Sequence, residues 1–231
     1  MTTNLYTSFT EAVSQKKKLL AILIDPEKFD LQNTASFLRN LPMATTHLFV
    51  GGSTVPEGMT EHLIKELKLY TAKPILLFPG DVSQITDVAD GLLFLSLLSG
   101  RNPEYLIEQQ IKAVSKLRGS ALEVIPTGYI LIDGQNVSAV SQVTHTNPMA
   151  QNNVQSIVDT AKAGELMGAK LIYLEAGSGA KIPVSAEIIS AVKKELNVPL
   201  IVGGGIKTEE QINNAYKAGA TMIVMGTAFE K

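Results

Sequence analysis

Eight short, almost wholly apolar runs recur along this chain of 231 residues, separated for the most part by stretches that carry apolar residues at helical spacing. The runs lie near 19–24, 47–51, 74–78, 91–96, 122–130, 170–175, 198–203 and 221–225. Strands that are apolar along their whole length are covered on both faces, and strands alternating with helices build a parallel sheet of βα units. Eight such units are the number that closes a (β/α)8 barrel, so the chain reads as one barrel domain over residues 1–231. Hydrophobic residues make up 45% of the chain, which is enough for a core of that size.

Helical spacing is present at 30–40, 57–70, 103–117, 152–167, 185–196 and 208–218, with an extra helix expected at 7–16 before the first strand. Ser185-Ala186-Glu187 and Thr208-Glu209-Glu210 read as helix starts, with acidic residues where the helix dipole favours them. Two places depart from the regular pattern. Only about a dozen residues separate the third and fourth strands, so the third barrel helix is expected to be short or missing. The chain also stops at Phe229-Glu230-Lys231, where a last helix should follow, so that helix is missing or something else covers the sheet. Residues 131–151 are polar and read as a long loop after the fifth strand, on the rim that carries function in barrels.

Composition excludes several functions. There are no cysteines, which removes disulfides, thiolate metal sites and cysteine nucleophiles. A net charge of −2 gives no general attraction to nucleic acid. No signal-peptide pattern opens the chain, and the most apolar segment, Leu92 to Leu98, is too short to span a bilayer. A soluble cytoplasmic protein is expected. His47, His62 and His145 are scattered too widely for a metal site and read as ordinary surface or loop residues, while a dinucleotide fingerprint is missing.

The candidate functional residues fall at strand C-termini, the rim where barrel active sites lie. Gly203-Gly204-Gly205 and Gly226-Thr227 end the seventh and eighth strands. Backbone N–H groups in such glycine turns cradle phosphate, although tight turns alone would also explain them. Tyr173 and Glu175 in the sixth strand point to the same side by alternation, with Leu174 opposite, and Ala176-Gly177-Ser178-Gly179 follows. A Gly-Ser-Gly turn can wrap a phosphate, and a carboxylate facing the interior needs a partner or a function. Asp25, in Leu23-Ile24-Asp25-Pro26-Glu27-Lys28, is a carboxylate at the tip of the first strand. It is suited either to Mg²⁺ or to a turn. Ser53 and Thr54, after Gly51-Gly52, offer hydroxyl oxygens to a metal or phosphate, or cap the next helix.

Taken in order, these blocks, together with Ser99-Gly100-Arg101-Asn102-Pro103, resemble the geranylgeranylglyceryl phosphate synthase family, which includes the heptaprenylglyceryl phosphate synthases of bacteria. The resemblance runs over essentially the whole chain, and Tyr173-Leu174-Glu175-Ala176-Gly177-Ser178-Gly179-Ala180 is its most specific block. It implies a modified TIM barrel that departs from the standard form around its third helix. The implied reaction is a Mg²⁺-dependent prenyl transfer that joins sn-glycerol 1-phosphate to a prenyl diphosphate through an ether bond. By this resemblance Asp25 and Ser53 hold the metal, and Asp25 and Glu175 carry the chemistry. Tyr173 to Gly179, with Gly204, Gly205, Gly226 and Thr227, bind glycerol phosphate.

By the same resemblance Tyr105 matches the position where an aromatic residue closes the prenyl groove, which implies the C20 geranylgeranyl donor rather than a longer one, although an ordinary half-buried helix residue would read the same way. Related enzymes form dimers or larger assemblies, so a homo-oligomer is expected. The lipid product points to peripheral membrane contact, although no basic amphipathic helix supports it. A phosphate-binding isomerase or aldolase is the nearest alternative, although Lys170 and Lys181, which flank the sixth strand, do not sit at convincing interior positions for a Schiff base. A non-catalytic phosphate-binding scaffold is the alternative from a different class.

Overall fold

The computed structural model describes residues 4–226. All eight apolar runs are strands: β1 (Leu19–Ile24), β2 (Thr45–Val50), β3 (Ile75–Leu77), β4 (Gly91–Leu97), β5 (Glu123–Leu131), β6 (Leu171–Glu175), β7 (Leu200–Gly203) and β8 (Met222–Met225). They pair in parallel, each with its neighbour in sequence, and β8 returns to β1 to close the barrel. Alternation then sorts the side chains into two cores. Ala21, Phe49, Leu76, Leu93, Ile125, Tyr173, Ile201 and Met222 fill the interior. Ile22, Leu48, Ile75, Leu92, Ile172, Leu174, Val202 and Ile223 face the surrounding helices.

Those helices are α2 (Thr34–Arg39), α3 (Met59–Lys68), α4 (Gln109–Leu117), α6 (Val154–Leu166), α7 (Ala186–Glu195) and α8 (Glu209–Ala218). The expected starts of α7 and α8 are present. Ser185 Oγ accepts the Ile188 N–H, and Thr208 with Gln211 forms a complete capping box.

The extra helix, α1 (Leu5–Ser14), lies under the N-terminal end of the barrel. Phe9 and Ala12 join the interior core there, and Phe9 lies against the His47 ring at 5.4 Å between centroids. The Glu123 carboxylate, at the start of β5, accepts the N–H groups of Leu5 and Tyr6 and so satisfies two donors of the first turn. His47 is therefore not a surface residue. It is 4% exposed, because β2 turns it inward beneath α1.

Between β3 and β4 the chain makes only a short 3-10 turn, Val82–Gln84, as the spacing of the runs implies. β3 is also only three residues long and meets β4 at just Leu76↔Gly91 and Leu77↔Leu92. β4 continues to Leu97 with no β3 residue beside it, and the Leu95 carbonyl accepts a hydrogen bond from the Gln110 side chain instead. The barrel wall therefore parts between β3 and β4 near its C-terminal end.

Residues 131–151 are not simply a loop. They contain a short helix, α5 (Ala139–Thr144), capped by the Ser138 hydroxyl, and Ile132 bridges to Met149. A capped single turn and a half has too few apolar positions to show a period in the sequence. The stretch after the eighth strand, where a last barrel helix was in question, lies outside the described residues. No helix among those described is long and apolar enough to cross a membrane.

Candidate active site

One cavity of about 310 Å³ opens at the C-terminal mouth of the barrel. It brings together most of the residues singled out in the sequence: Asp25, Ser53, Tyr105, Tyr173, Glu175, Gly177, Ser178, Gly179, Gly204, Gly205 and Gly226. Leu174 and Ala176 do not line it. Their side chains point the other way, into the layer between sheet and helices, and the Ala176 N–H is bonded to the Gly203 carbonyl at 3.0 Å. Thr227 lies outside the described residues.

Glu175 is the last residue of β6 and shares the inward parity of Leu171 and Tyr173. It is 6% exposed, and one carboxylate oxygen accepts the Gly177 N–H at 2.7 Å. Burial pushes its pKa from the ordinary 4.5 up to about 7, against the pull of the Tyr173 hydroxyl and the Gly177 N–H. The Tyr173 hydroxyl is close enough to this carboxylate to lower its pKa but falls short of a well-formed hydrogen bond to it. A buried hydroxyl so weakly engaged has capacity for a further polar partner in the cavity.

Gly204 is what allows the β7 turn to close over this pair. Its φ is +77°, and a Cβ there would lie 2.2 Å from a Glu175 oxygen and 2.6 Å from the Gly177 nitrogen. Substituted by any other residue, the turn could not press its backbone against the carboxylate.

Across the mouth, Asp25 pairs with Lys28 at 3.0 Å and accepts the Glu27 N–H at 3.1 Å. The turn and the inward carboxylate thus coexist at this residue. A Cβ on Gly52 would come within 2.6 Å of an Asp25 oxygen, so the turn after β2 also rides directly on the carboxylate. That contact brings the chain of Ser53 and Thr54 to the same side of the cavity. Neither caps α3, which is entered through Gly58 in the left-handed region. Among the described residues no three His, Asp or Glu side chains cluster as a self-sufficient metal site. One carboxylate with hydroxyl neighbours could hold only a hard cation that keeps its waters and borrows ligand oxygens, of the kind Mg²⁺ is.

The remainder of the cavity is mostly apolar, and apart from Tyr173 and Tyr105 its lining was not singled out in the sequence. Phe78, Tyr129 and Tyr173 form its floor, with ring centroids 5.3 to 5.7 Å apart. Tyr129 is paired in register with Tyr173, and Phe78 has the inward parity of Leu76, so strand alternation was the signal available for both. Beyond them the cavity is lined by both faces of β4: Leu93, Leu95 and Leu97 from inside, Leu92 and Phe94 from outside, with Ile85 and Ala113. It reaches through the parted wall into the space where a third helix would stand. Tyr105, in a π-helical turn (Glu104–Glu108), crosses to α5 and donates its hydroxyl to the Val143 carbonyl at 3.2 Å.

Among the described residues no lysine stands inside the cavity as a Schiff-base aldolase would need. Lys170 lies at the opposite end, over the Tyr6 ring, and Lys181 is exposed. The only lysines lining the cavity among the described residues are Lys28 and Lys207, both at its solvent edge.

Comparison with known proteins agrees with this geometry. The model of the PcrB family matches residues 12–231. A geranylgeranylglyceryl phosphate synthase of Zunongwangia profunda is 58% identical over 93% of this chain and 92% of its own. One from Flavobacterium johnsoniae is 50% identical over 99% and 94%. The crystal structure of (S)-3-O-geranylgeranylglyceryl phosphate synthase from Thermoplasma acidophilum, in complex with sn-glycerol-1-phosphate, superposes with a TM-score of 0.92. It is 32% identical and covers 99% of this chain and 92% of that one. Matches of this extent show that this chain belongs to the PcrB family and is, with these relatives, a prenyltransferase.

Proposed function

We propose that this enzyme transfers a geranylgeranyl group from its diphosphate to the 3-hydroxyl of sn-glycerol 1-phosphate, with Mg²⁺ at Asp25 and Ser53. The observation that carries the reading is a continuous cavity at the barrel mouth, polar and glycine-lined at one side and apolar where it passes through the wall beside β4. That shape suits a small phosphorylated alcohol beside a long hydrocarbon.

In this reading the turns at Gly177–Gly179, Gly204–Gly205 and Gly226 take the glycerol phosphate, with backbone N–H groups as donors. Thr227 completes the set by its place in the sequence. The Tyr173 hydroxyl and Glu175 hold the glycerol hydroxyls, which gives the phenol a further partner. The new bond forms between the glycerol 3-oxygen and the allylic carbon. The bond from that carbon to diphosphate oxygen breaks with its electron pair leaving on diphosphate, and the hydroxyl proton passes to the Glu175 carboxylate. A base with a pKa of about 7 is matched to that task near neutral pH.

When bound, Mg²⁺ neutralises charge on the diphosphate and so makes it a better leaving group. Positive charge on the allylic carbon would be favoured by the faces of Phe78, Tyr129 and Tyr173 beneath it. The alcohol and the carbon are brought together by position alone, which supplies much of the rate.

Tyr105, tied to α5, limits the groove to a C20 tail. The test is transfer of labelled prenyl groups of different length to glycerol 1-phosphate, with and without Mg²⁺. Chloroform-soluble product with the C20 donor and Mg²⁺ only is the expected result, and no product with any donor sinks the proposal.

A further inference from the structure

The cavity has two anions to hold and two lysines at its edge. Resting on the prenyl-transfer reading, we infer that Lys28 is a binding residue for the diphosphate of the donor, in addition to its pairing with Asp25.

Three observations lead there. Among the described residues that line the cavity, Lys28 and Lys207 are the cations, and they stand on different sides. Lys207 follows the β7 glycines, on the side of the glycerol phosphate turns, whereas Lys28 follows β1 beside Asp25. The Asp25 side of the rim is otherwise acidic, since Glu27 and Asp81 also line the cavity. A diphosphate carries more negative charge than one divalent ion removes, and acidic neighbours make the remainder harder to accept. A further cation is needed on that side, and Lys28 supplies it.

Geometry makes the second partner reachable. The Lys28 ammonium sits 3.0 Å from an oxygen of Asp25, a residue that itself lines the cavity. The side chain of Lys28 is 53% exposed while that of Asp25 is 15% exposed, so the ammonium approaches from the solvent side of the carboxylate. An ammonium has three donors on a flexible stem, and an exposed pair of this kind holds it only weakly. The Glu27 carboxylate is engaged with the Thr54 hydroxyl at 3.3 Å, which ties the turn carrying Lys28 to the turn after β2. Lys28 is thereby held at the rim beside Asp25. When a diphosphate lies beside Asp25, the ammonium can bond a phosphate oxygen and remain within reach of the carboxylate.

A role confined to neutralising Asp25 makes the opposite forecast. Removing the lysine would then leave the carboxylate more available to a cation and would not weaken binding of an anion. Calorimetric titration of inorganic pyrophosphate in the presence of Mg²⁺, and separately of glycerol 1-phosphate, distinguishes the two in the wild type, Lys28→Met, Lys28→Arg and Lys207→Met. The expected result is a pyrophosphate Kd raised by about tenfold or more in Lys28→Met, the size of one charge-assisted hydrogen bond. Lys28→Arg should recover most of this, and the glycerol 1-phosphate Kd should stay within about twofold of wild type. Lys207→Met should show the reverse pattern.

Unchanged pyrophosphate binding in Lys28→Met overturns the inference and leaves prenyl transfer standing. Equal weakening of both ligands also overturns it, because a general field effect would then explain the data. A wild type that binds no pyrophosphate at all with Mg²⁺ overturns the functional reading itself. The side chain of Lys28 is half exposed, so its replacement should leave the fold intact, and the unfolding midpoint of each variant checks this.

Discussion

At the N-terminal end of the barrel, Phe9 and Ala12 of α1 pack into the core that holds Leu19 and Ala21, and the Glu123 carboxylate caps that helix. At the C-terminal end, the same strands finish in glycine turns with positive φ at Gly177, Gly204 and Gly205, a buried carboxylate and a weakly engaged phenol. One end satisfies its groups from within the protein. The other leaves them arranged for something that is not protein. The contrast teaches where stability is concentrated and where it is given up, a division common to barrel enzymes. It also makes each end breakable by itself.

The largest effect is expected at the mouth. Glu175→Gln keeps the size of the side chain and one acceptor oxygen but cannot take a proton. Turnover should fall by about 10²- to 10⁴-fold, the range for a lost general base. Mg²⁺ affinity, read by titration, should change far less, and the unfolding midpoint should not drop. Turnover close to wild type at saturating substrates removes Glu175 from the chemistry and leaves it a binding group only.

Phe9→Ala tests the other end. Phe9 is fully buried against the interior core, and truncating such a residue costs about 3–5 kcal/mol of folding stability. Urea unfolding should show that loss, while KM for both substrates stays near wild type at temperatures where the variant is folded. Altered KM would mean that the two ends are coupled and that their contrast is less sharp than their packing implies.

Much of this division was legible in the residues. Eight apolar runs gave the barrel and its strand order, because strands buried on both faces leave an unbroken apolar signature. The short third connection was visible as spacing, and the mouth residues Asp25, Glu175 and the glycines as polar or conformationally free types at strand tips. What was not legible depends on tertiary parity and closure. His47 looks like any polar residue at a strand start until α1 is placed beneath it. Phe78 and Tyr129 look like core until the wall beside β4 is seen to part, since an aromatic floor and an aromatic core have the same local pattern. Leu174 and Ala176 belong to the most specific block of the sequence, yet they are turned away from the cavity by the alternation that turns Glu175 into it.

Tyr105→Ala sharpens the comparison within the mouth, between its polar and apolar halves. Tyr105 lines the apolar side and bonds the Val143 carbonyl, so its removal enlarges the groove without touching the glycine turns. The ratio of kcat/KM for a C35 donor to that for the C20 donor should rise about tenfold or more, the scale on which pocket volume discriminates apolar groups. Glycerol phosphate affinity should be unchanged. No gain with the long donor means that the limit on tail length lies elsewhere along β4.

The smallest expected effect compares both ends at once, through pH. Burial, with Lys73 adding to it, lowers the His47 pKa from the ordinary 6.5 to about 4. The unfolded chain therefore takes up a proton that the folded chain refuses, and this end loses stability as pH falls from about 6.5 to about 4. Glu175 is shifted the other way, from 4.5 up to about 7. There the folded chain keeps a proton that the unfolded chain releases, so the mouth loses stability as pH rises from 4.5 to about 7.

Where the two windows overlap, the slopes are opposite in sign and nearly cancel in the wild type. Each variant by itself should expose the other group's slope, and its difference from wild type should isolate the slope of the group removed. The stability gained by Glu175→Gln should grow with rising pH, by about 1 kcal/mol per pH unit at most. His47→Phe, which keeps a ring against Phe9, should gain most on the acid side. Unfolding midpoints of both variants between pH 4.5 and 7 settle this. Parallel curves in the two variants would show that the histidine and the carboxylate do not titrate as their burial at opposite ends requires.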